Sequence, residues 1–356
     1  MTINSVYKVM AVSAFVSAFA FANAGDAIAA KKVKWKMQSA WSTSVPNAGE
    51  SGVRFVDSIN TMSGGKFKIK FFDPGALVPA LETFDACSKG SIESAWTTPG
   101  YHAGKYPGLS FMTTVPFGPA LSEFLSWKWF GGGNAIRDRV YATHDLYAVD
   151  AFSHGPETSG WFKKPITDLE QLKGMKMRFF GLGAMVMSKL GVSTQLLAGG
   201  DIYPALEKGV IDATEFSMPT HDLSYGFYQL AKFNYFPGWH QQTSIGELLM
   251  STKGWGGLTK TQQAVINTAC RDTMWWALVR SDAKQVPAMA ELEKKGVTFV
   301  TWPDSEISKF KKAWDAVVEE KSASDPLFKE ITASYNKFRE DYSIWSSRAY
   351  LKAKKY

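Results

Sequence analysis

Residues 175–197 read MKMRFFGLGAMVMSKLGVSTQLL, and this stretch indicates the class of fold. Residues 175–180 are typical of a strand, residues 184–190 of a helix that ends at Gly191, and residues 193–197 of a second strand. Units of strand, helix and strand build open, mainly parallel sheets with helices on both faces. Such sheets place ligand sites at the carboxyl ends of their strands.

The same order of elements opens the chain. Residues 34–40 alternate apolar and polar side chains as a half-buried strand does, and residues 49–62 carry apolar side chains at helical spacing. That helix is expected to stop at Ser63-Gly64-Gly65, and residues 67–72 are again strand-like. We therefore expect an α/β protein of two lobes, with open, mainly parallel sheets.

A weak internal repeat supports two similar lobes. The sequence KGSIESAW at 89–96 lines up with KGVIDATE at 208–215. Each copy reads as a helix end, a Gly after the helix and a short strand. The repeat predicts that Trp96 and Thr97 face a shared cleft from one lobe, and Glu215 and Phe216 from the other. The alternative is that the repeat is a generic sequence for a helix end followed by a strand.

The last third of the chain is mostly helical. Residues 259–262 read TKTQ, a capping box that opens a long amphipathic helix, and residues 296–301 are strand-like. Further helices are expected from Pro303 and from Asp325. The final helix carries many aromatic side chains, which favours packing on the body of the protein or on a second subunit. They are Phe328, Tyr335, Phe338, Tyr342, Trp345 and Tyr350.

Composition narrows the class of protein. The chain has 356 residues and a net charge of +7, and 45% of it is hydrophobic, enough for two cores. These values exclude a disordered chain, a coiled coil and a disulfide scaffold. Because Lys and Arg are spread along the whole chain, no nucleic-acid groove is expected. A positive surface is compatible with small anions.

The amino terminus predicts export. Lys8 precedes an apolar run at residues 9–22, and Ala22-Asn23-Ala24 offers a cleavage pattern of small residues. We expect a signal peptide at residues 1–24, with cleavage as late as residue 29, and a soluble periplasmic protein. No cysteine follows the apolar run to carry a lipid anchor. Cys87 and Cys270 are expected as two separate buried thiols rather than a disulfide.

Common catalytic motifs are absent from the sequence. It contains no Gly-x-Ser-x-Gly elbow, no His-Glu-x-x-His pair and no Walker loop. Gly181-Leu182-Gly183 opens a helix, but Val186 stands where a dinucleotide fingerprint needs a third Gly. His154 and Glu157 lie close in sequence, yet no second His or Cys cluster completes a zinc set. The sequence does not favour an enzyme, and it predicts no catalytic residues.

Five segments resemble the periplasmic solute-binding proteins of TRAP (tripartite ATP-independent periplasmic) transporters, the DctP family. The resemblance covers essentially the whole mature chain and is closest to the branch that binds 2-oxo and 2-hydroxy monocarboxylates. The segments are GWFKKPI at 160–166, LKGMKMR at 172–178, GGDIYPAL at 199–206, IDATEF at 211–216 and PGWH at 237–240.

The resemblance implies a receptor of the two-lobed periplasmic-binding-protein fold, in which a crossing strand and long helices link the lobes. Lobe I would comprise residues 31–152 and about 242–282, lobe II residues 153–241 and about 283–324, and residues 325–356 would form a C-terminal helical segment. The receptor would deliver pyruvate, 2-oxobutyrate or lactate to the transporter's membrane subunits. A homodimer through the C-terminal helix is a further expectation.

The resemblance assigns the ligand carboxylate to Arg178. The physical argument agrees, because a guanidinium fork at the end of a predicted strand matches a carboxylate with two parallel hydrogen bonds. Trp41, Trp96 and Tyr101 are expected to supply an aromatic wall from the opposite lobe. The alternatives are a longer or amine-bearing carboxylate, or an exported lyase with Glu157 and Glu215 as acid and base.

In this branch a cation, Na⁺ or Ca²⁺, lies beside the substrate. The corresponding positions are Glu157, Glu215 and the Phe216 carbonyl, with Gln241 completing the site. The branch has Gln at position 157, commonly Trp at 216 and an acidic residue at 241. Two carboxylates would favour Ca²⁺. Alternatively, Glu157 faces an ammonium or hydroxyl of the substrate, or is structural. Phe216 and Gln241 are also expected to contact the substrate.

Overall fold

The structure is a computed structural model that describes residues 32–350. Within that range the chain forms eleven strands and eleven α-helices. The strands are β1 (Val33–Ser39), β2 (Phe67–Phe72), β3 (Ser94–Thr97), β4 (Leu146–His154), β5 (Gly160–Phe162), β6 (Lys176–Arg178), β7 (Ser193–Gln195), β8 (Ala213–Thr214), β9 (Phe233–Phe236), β10 (Ser244–Ser251) and β11 (Thr298–Thr301). The helices are α1 (Ala48–Met62), α2 (Thr83–Ser88), α3 (Leu121–Phe130), α4 (Gly133–Ala142), α5 (Gly181–Lys189), α6 (Gly199–Glu207), α7 (Pro219–Tyr225), α8 (Thr252–Gly256), α9 (Lys260–Lys294), α10 (Asp304–Ser324) and α11 (Pro326–Ala349).

The strands form two sheets. The first has the order β2-β1-β3-β10-β4, and the second has the order β11-β9-β5-β8-β6-β7. In each sheet a single strand, β10 or β5, runs antiparallel to its neighbours. The predicted α/β class with two mainly parallel sheets is therefore confirmed. We call the first sheet and its helices lobe I, and the second sheet and its helices lobe II.

Three stretches of chain connect the lobes. Residues 155–159 lead from β4 to β5, residues 237–243 lead from β9 back to β10, and the 35-residue helix α9 precedes β11. The two short segments are hydrogen-bonded to each other, because Glu157 N donates to Gln241 O and Gly238 N donates to Glu157 O, both at 3.0 Å. We call these two short stretches the crossing segments.

Apolar side chains cover both faces of the sheets. Along β10, Leu248 and Met250 enter one core, while Ile245 and Leu249 enter the other. Along β5, Trp161 and Phe162 divide in the same way. Each core includes side chains of both sheets, so the two lobes are packed against each other around the crossing segments.

Both copies of the internal repeat adopt the predicted helix end, glycine and short strand. Gly90 and Gly209 have φ angles of 70° and 71°, and a short strand, β3 or β8, follows each glycine. A left-handed residue after a helix is a position that glycine occupies without steric cost. The capping box at Thr259 is also present, with the Thr259 side chain and Gln262 bonded reciprocally to each other's backbone.

The strand predicted at residues 175–180 and the helix predicted at residues 184–190 have different ends in the structure. Strand β6 stops at Arg178 instead of residue 180, because the Phe180 N–H is bonded to a side-chain oxygen of Glu215 at 3.0 Å and not to a neighbouring strand. Helix α5 consequently starts at Gly181, three residues before the predicted helix.

The cysteines and the C-terminal helix can be compared directly with the sequence predictions. Cys87 and Cys270 are both buried and free, as expected. Phe328 and Tyr335 of α11 are buried against the body of the protein, whereas Trp345 is 62% exposed. Among residues 32–350, none of the helices is long and apolar enough to cross a membrane. The predicted signal peptide lies outside the described residues.

Gly238 provides a test of the paired crossing segments. A Cβ atom at Gly238 would lie 2.2 Å from Glu157 O, so we expect Gly238→Ala to lower the free energy of unfolding by about 1–3 kcal/mol, the usual cost of overpacking. Urea denaturation measures this loss. Gly200→Ala in α6 is the control, because nothing lies within 4 Å of its added Cβ. Equal stability of the two variants would contradict a close contact between the segments.

Candidate ligand-binding site

Arg178 is the last residue of β6, and its side chain is 1% exposed. Its Nη1 donates to the backbone oxygen of Glu215 at 2.7 Å and to Oε2 of the same residue at 2.9 Å. Its Nε donates to Leu197 O at 3.3 Å, and its guanidinium carbon lies 5.1 Å from the centre of the Phe216 ring. These contacts fix the guanidinium, while Nη2 has no hydrogen-bond partner among the described residues.

Glu215 compensates the charge of Arg178. It follows β8, which pairs with β6 so that Thr214 lies opposite Arg178. Its Oε2 also accepts the Phe180 N–H at 3.0 Å. Burial raises the pKa of this carboxyl, but Arg178, His240 and the Phe180 N–H outweigh burial and leave the pKa below its usual value. Glu215 is therefore ionised and forms a buried ion pair with Arg178.

Glu157 lies on the first crossing segment and is 2% exposed. Its Oε1 is 3.4 Å from both Ser217 Oγ, which donates to it, and His154 Nε2. Its Oε2 has no hydrogen-bond partner. Burial raises the pKa of Glu157 well above its usual value, and the charges of Glu215 and Asp222 raise it further. Glu157 is thus a buried carboxyl whose charged form is not compensated.

Three buried side chains bring potential cation ligands close together. Single atoms of Glu157, Glu215 and His240 all lie within 4.8 Å of one another. Glu157 Oε2, Glu215 Oε1 and His240 Nε2 make no well-aligned hydrogen bond, although His240 Nε2 lies 3.5 Å from Glu215 Oε1 and 3.8 Å from Glu157 Oε2. The Oε1 of Gln241 is also buried and unpaired, although its amide nitrogen donates to Ser244 Oγ at 2.7 Å. Unpaired carboxylate and amide oxygens are the donors that hard cations prefer, so the residues present fit a bound cation.

A small cavity lies between the lobes, and Glu157 and Gln241 are part of its lining. Its volume is about 40 Å³, room for a few water molecules and hence for a small ligand. Aromatic side chains form much of its wall, namely Trp41, Tyr101, Phe152, Phe180 and Phe216. Polar side chains complete the lining, namely Thr98, Thr113, His154, Glu157, Arg178, Ser217, His221, Gln241 and Ser244.

The wall includes a contact between the lobes. Phe180, at the end of β6 in lobe II, packs edge-on against Tyr101 of lobe I with ring centres 5.4 Å apart. A Cβ atom at Gly100 would lie 2.1 Å from the Phe180 ring. This close approach needs a glycine at position 100, and it closes the cavity on one side.

Most of the predicted site residues meet here, with two exceptions, Trp96 and Thr97. Trp41, Tyr101, Glu157, Arg178, Phe216 and Gln241 line the cavity, and Glu215 is bonded to Arg178 without lining it. Trp96 does not line the cavity. Its indole is completely buried, donates to Ala48 O at 3.0 Å and stacks between Phe55 and Phe152.

Trp96 belongs to the fully buried strand β3, and the cavity is instead lined by Thr98, which directly follows that strand. The sequence reasoning missed Phe152 and His221 as lining residues, because neither stands near a predicted strand end. It noted His154 only as a potential metal ligand.

The chain matches the sequence profile of one protein family over residues 37–325, described as bacterial extracellular solute-binding protein, family 7 (DctP). It is also 35% identical over 315 residues to the monocarboxylate 2-oxoacid-binding periplasmic protein all3028 of Nostoc sp. strain PCC 7120. That match covers 88% of this chain and 86% of the relative.

Solved structures of TRAP transporter solute-binding proteins are also similar to this chain. A TRAP transporter solute-binding protein from Bordetella bronchiseptica, a dimer with copurified calcium and picolinate, has a TM-score of 0.87 and 32% identity, covering 90% of this chain and 95% of that one. A protein from Colwellia psychrerythraea with bound calcium and pyruvate has a TM-score of 0.84 and 30% identity, covering 90% and 98%. A protein from Pseudoalteromonas atlantica with bound sodium and pyruvate has a TM-score of 0.85 and 26% identity. The match covers 90% of this chain and 97% of that one.

The buried ion pair makes a testable prediction. Removing one partner of such a pair leaves the other charge uncompensated, so Glu215→Ala should lower the free energy of unfolding by about 3–5 kcal/mol. Urea denaturation followed by circular dichroism measures the loss. Glu320→Ala is the matched control, because Glu320 pairs with Lys189 but is 60% exposed, and exposed pairs contribute little. Similar losses in the two variants would contradict the structural role of Glu215.

Proposed function

The chain belongs to the DctP family of bacterial extracellular solute-binding proteins (family 7), and we propose that this TRAP-transporter receptor binds a small 2-oxo or 2-hydroxy monocarboxylate together with a cation. Members of this family are substrate-binding receptors of transporters and not enzymes. The alternative of a lyase with Glu157 and Glu215 as acid and base is therefore wrong. The membrane subunits of a TRAP transporter are the partners of such a receptor.

A single observation carries the proposal, namely the fixed guanidinium of Arg178 at the wall of a small cavity between the lobes. Nη1 and Nε are held by backbone and side-chain oxygens, and Nη2 is left without a partner. A ligand carboxylate at Nη2 would complete the hydrogen bonding of the guanidinium. The cavity volume of about 40 Å³ favours acids as small as pyruvate, 2-oxobutyrate or lactate. The relatives from Nostoc and Colwellia, which bind 2-oxo acids, support this choice.

The cation would be held by the unpaired oxygens of Glu157, Glu215 and Gln241, together with the Phe216 carbonyl that the resemblance implies. Charge balance favours Ca²⁺ over Na⁺. With a divalent ion, the charges of two carboxylates and the ligand are cancelled by the ion and Arg178, whereas a monovalent ion leaves a net negative charge in a buried site. The ion would supply electrostatic attraction for the ligand oxygens.

A second candidate ligand follows from the same uncompensated carboxyl. An amine-bearing acid could place its ammonium beside Glu157 Oε2, which has no partner. Such a ligand would replace the cation and would bind equally well in the presence of a chelator. The dependence on a metal ion therefore separates the two candidates.

Exposed apolar side chains on and near the C-terminal helix α11 support the predicted homodimer. Ile344 and Trp345 of α11 are 65% and 62% exposed, and Phe130 and Trp275 beside the groove between α3 and α9 are 88% and 68% exposed. Large exposed apolar side chains in groups mark association surfaces. The Bordetella relative is a dimer. We propose that two copies associate through α11.

The first prediction concerns the ligand carboxylate. Ligand-stripped protein should bind pyruvate, 2-oxobutyrate or lactate in calorimetric titration and should not bind succinate. Arg178→Ala should weaken binding by about 10- to 100-fold, the usual value of a hydrogen-bonded charge. Arg54→Ala, a surface arginine paired with Asp272, is the control and should bind normally. Affinity of the Arg178 variant within a few fold of the wild type would overturn the anchoring role.

The second prediction concerns the cation. Chelator should weaken monocarboxylate binding, Ca²⁺ should restore it, and Glu157→Gln should reduce this Ca²⁺ effect about 10-fold because one anionic ligand is lost. Titration with and without chelator measures the effect. Glu247→Gln is a matched control, since Glu247 is also a buried carboxyl with an unpaired oxygen but does not line the cavity. Tight monocarboxylate binding that ignores chelator would contradict the cation site and assign Glu157 to substrate recognition.

The third prediction concerns the oligomer. Sedimentation velocity should show a dimer for the wild type and a monomer for Trp345→Glu, because a buried charge disfavours an apolar interface. Val210→Glu changes an exposed apolar residue of lobe II and should leave the dimer intact. A wild type that stays monomeric at tens of micromolar would refute association through α11.

A further inference from the structure

His221 is a cavity residue that the proposed function does not use. It lies in the first turn of α7, is 1% exposed and lines the cavity. Its Nε2 atom has no hydrogen-bond partner. Because buried polar atoms in folded proteins are nearly always paired, an unpaired ring nitrogen at a ligand cavity points to a partner that the ligand supplies.

A chain of hydrogen bonds indicates which ring nitrogen carries the proton. The amide of Gln285 is oriented by two contacts, since its Nε2 donates to Ser281 O at 2.7 Å and its Oε1 accepts the Thr220 N–H at 3.2 Å. The same Nε2 donates to Thr220 Oγ1 at 3.0 Å, and this hydroxyl lies 3.5 Å from Nδ1 of His221. With its oxygen accepting from Gln285, the Thr220 hydroxyl keeps its own proton free for Nδ1, and this favours the tautomer that carries the ring proton on Nε2. In that tautomer Nε2 is a hydrogen-bond donor.

The environment keeps this donor uncharged. Burial lowers the pKa of His221 well below its usual value, and the neighbouring His154 lowers it further. Among the described residues that line the cavity, Arg178 is the only Lys or Arg. A second carboxylate on the ligand would therefore find no positive partner, whereas a neutral oxygen would satisfy the Nε2–H.

Several other polar groups that line the cavity are already engaged. His154 contacts Gly155 O with Nδ1 at 3.2 Å and Glu157 with Nε2 at 3.4 Å. The hydroxyls of Thr98 and Thr113 lie 2.7 Å from each other. His221 thus offers a donor that neither the protein nor the proposed carboxylate and cation contacts use.

We propose that His221 Nε2–H binds a hydroxyl oxygen on the carbon next to the 2-oxo or 2-hydroxy carbon, so that the ligand is a 3-hydroxylated monocarboxylate. The inference rests on the proposed function, in which Arg178 takes the carboxylate and the cation takes the 2-oxygen. A third oxygen is then what His221 recognises.

Paired ligands that differ by one hydroxyl test this inference. We expect wild-type protein to bind 3-hydroxypyruvate about 10-fold more tightly than pyruvate, and glycerate about 10-fold more tightly than lactate, in calorimetric titration with Ca²⁺ present. His221→Phe should abolish both preferences, so that the two affinities within each pair become equal. His221→Gln, whose amide nitrogen can reach the position of Nε2, should keep part of the preference.

His102→Phe is the matched control. His102 is 3% exposed and also has an unpaired Nε2, but it does not line the cavity. Its replacement should leave the hydroxyl preference unchanged. Equal wild-type affinities within each pair, or a preference that persists in folded His221→Phe, would overturn the inference while the proposed function stands. If His221→Phe does not fold, the wild-type pairs and His221→Gln decide. Failure of every monocarboxylate to bind would overturn the proposed function itself.

Discussion

Arg178 is a permanent positive charge with almost no exposed surface, and the site is arranged around this constraint. A charge removed from water requires a compensating charge close by, and Glu215 supplies it at 2.9 Å. The same carboxylate ends β6 by accepting the Phe180 N–H, so charge compensation also sets the position of the cavity wall. Because Glu215 is committed to Arg178, Glu157 remains a second buried carboxyl without a counter-charge. A ligand carboxylate and a divalent cation that arrive together would satisfy both Arg178 and Glu157 without leaving a net charge.

The position of these groups in the fold links binding to the relation between the lobes. Glu157 and Gln241 lie on the two crossing segments, which are hydrogen-bonded to each other where the chain passes between the sheets. Arg178 belongs to lobe II, while Trp41 and Tyr101 belong to lobe I. A ligand in the cavity would therefore contact both lobes and the connection between them. Contacts that only the closed arrangement completes, such as Phe180 against Gly100 and Tyr101, would be favoured by the ligand. This arrangement suits a receptor that holds its solute and releases it on opening.

Much of this organisation could be predicted from the sequence, because local signals determine it. The glycines at 90 and 209 both adopt left-handed backbone after a helix and precede the strands that lead to the site. Arg178 and Glu215 stand at adjacent strand ends, where parallel sheets collect ligand groups. Trp96 was expected at the cavity because it lies at a strand end, but its indole packs in the core between Phe55 and Phe152. His221 and Phe152 could not be predicted, since their place at the cavity results from how helix α7 and strand β4 each pack against the long helix α9.

The account is tested most directly by a crystal structure of the protein with pyruvate and Ca²⁺. It predicts a ligand carboxylate within hydrogen-bonding distance of Arg178 Nη2 and a Ca²⁺ ion bound by the Glu157 carboxylate. The Arg178–Glu215 pair should remain as it is, with Glu215 Oε2 on Nη1 and on the Phe180 N–H. A ligand whose carboxylate lies away from Arg178, or a Glu157 without a bound cation in the presence of Ca²⁺, would contradict the account.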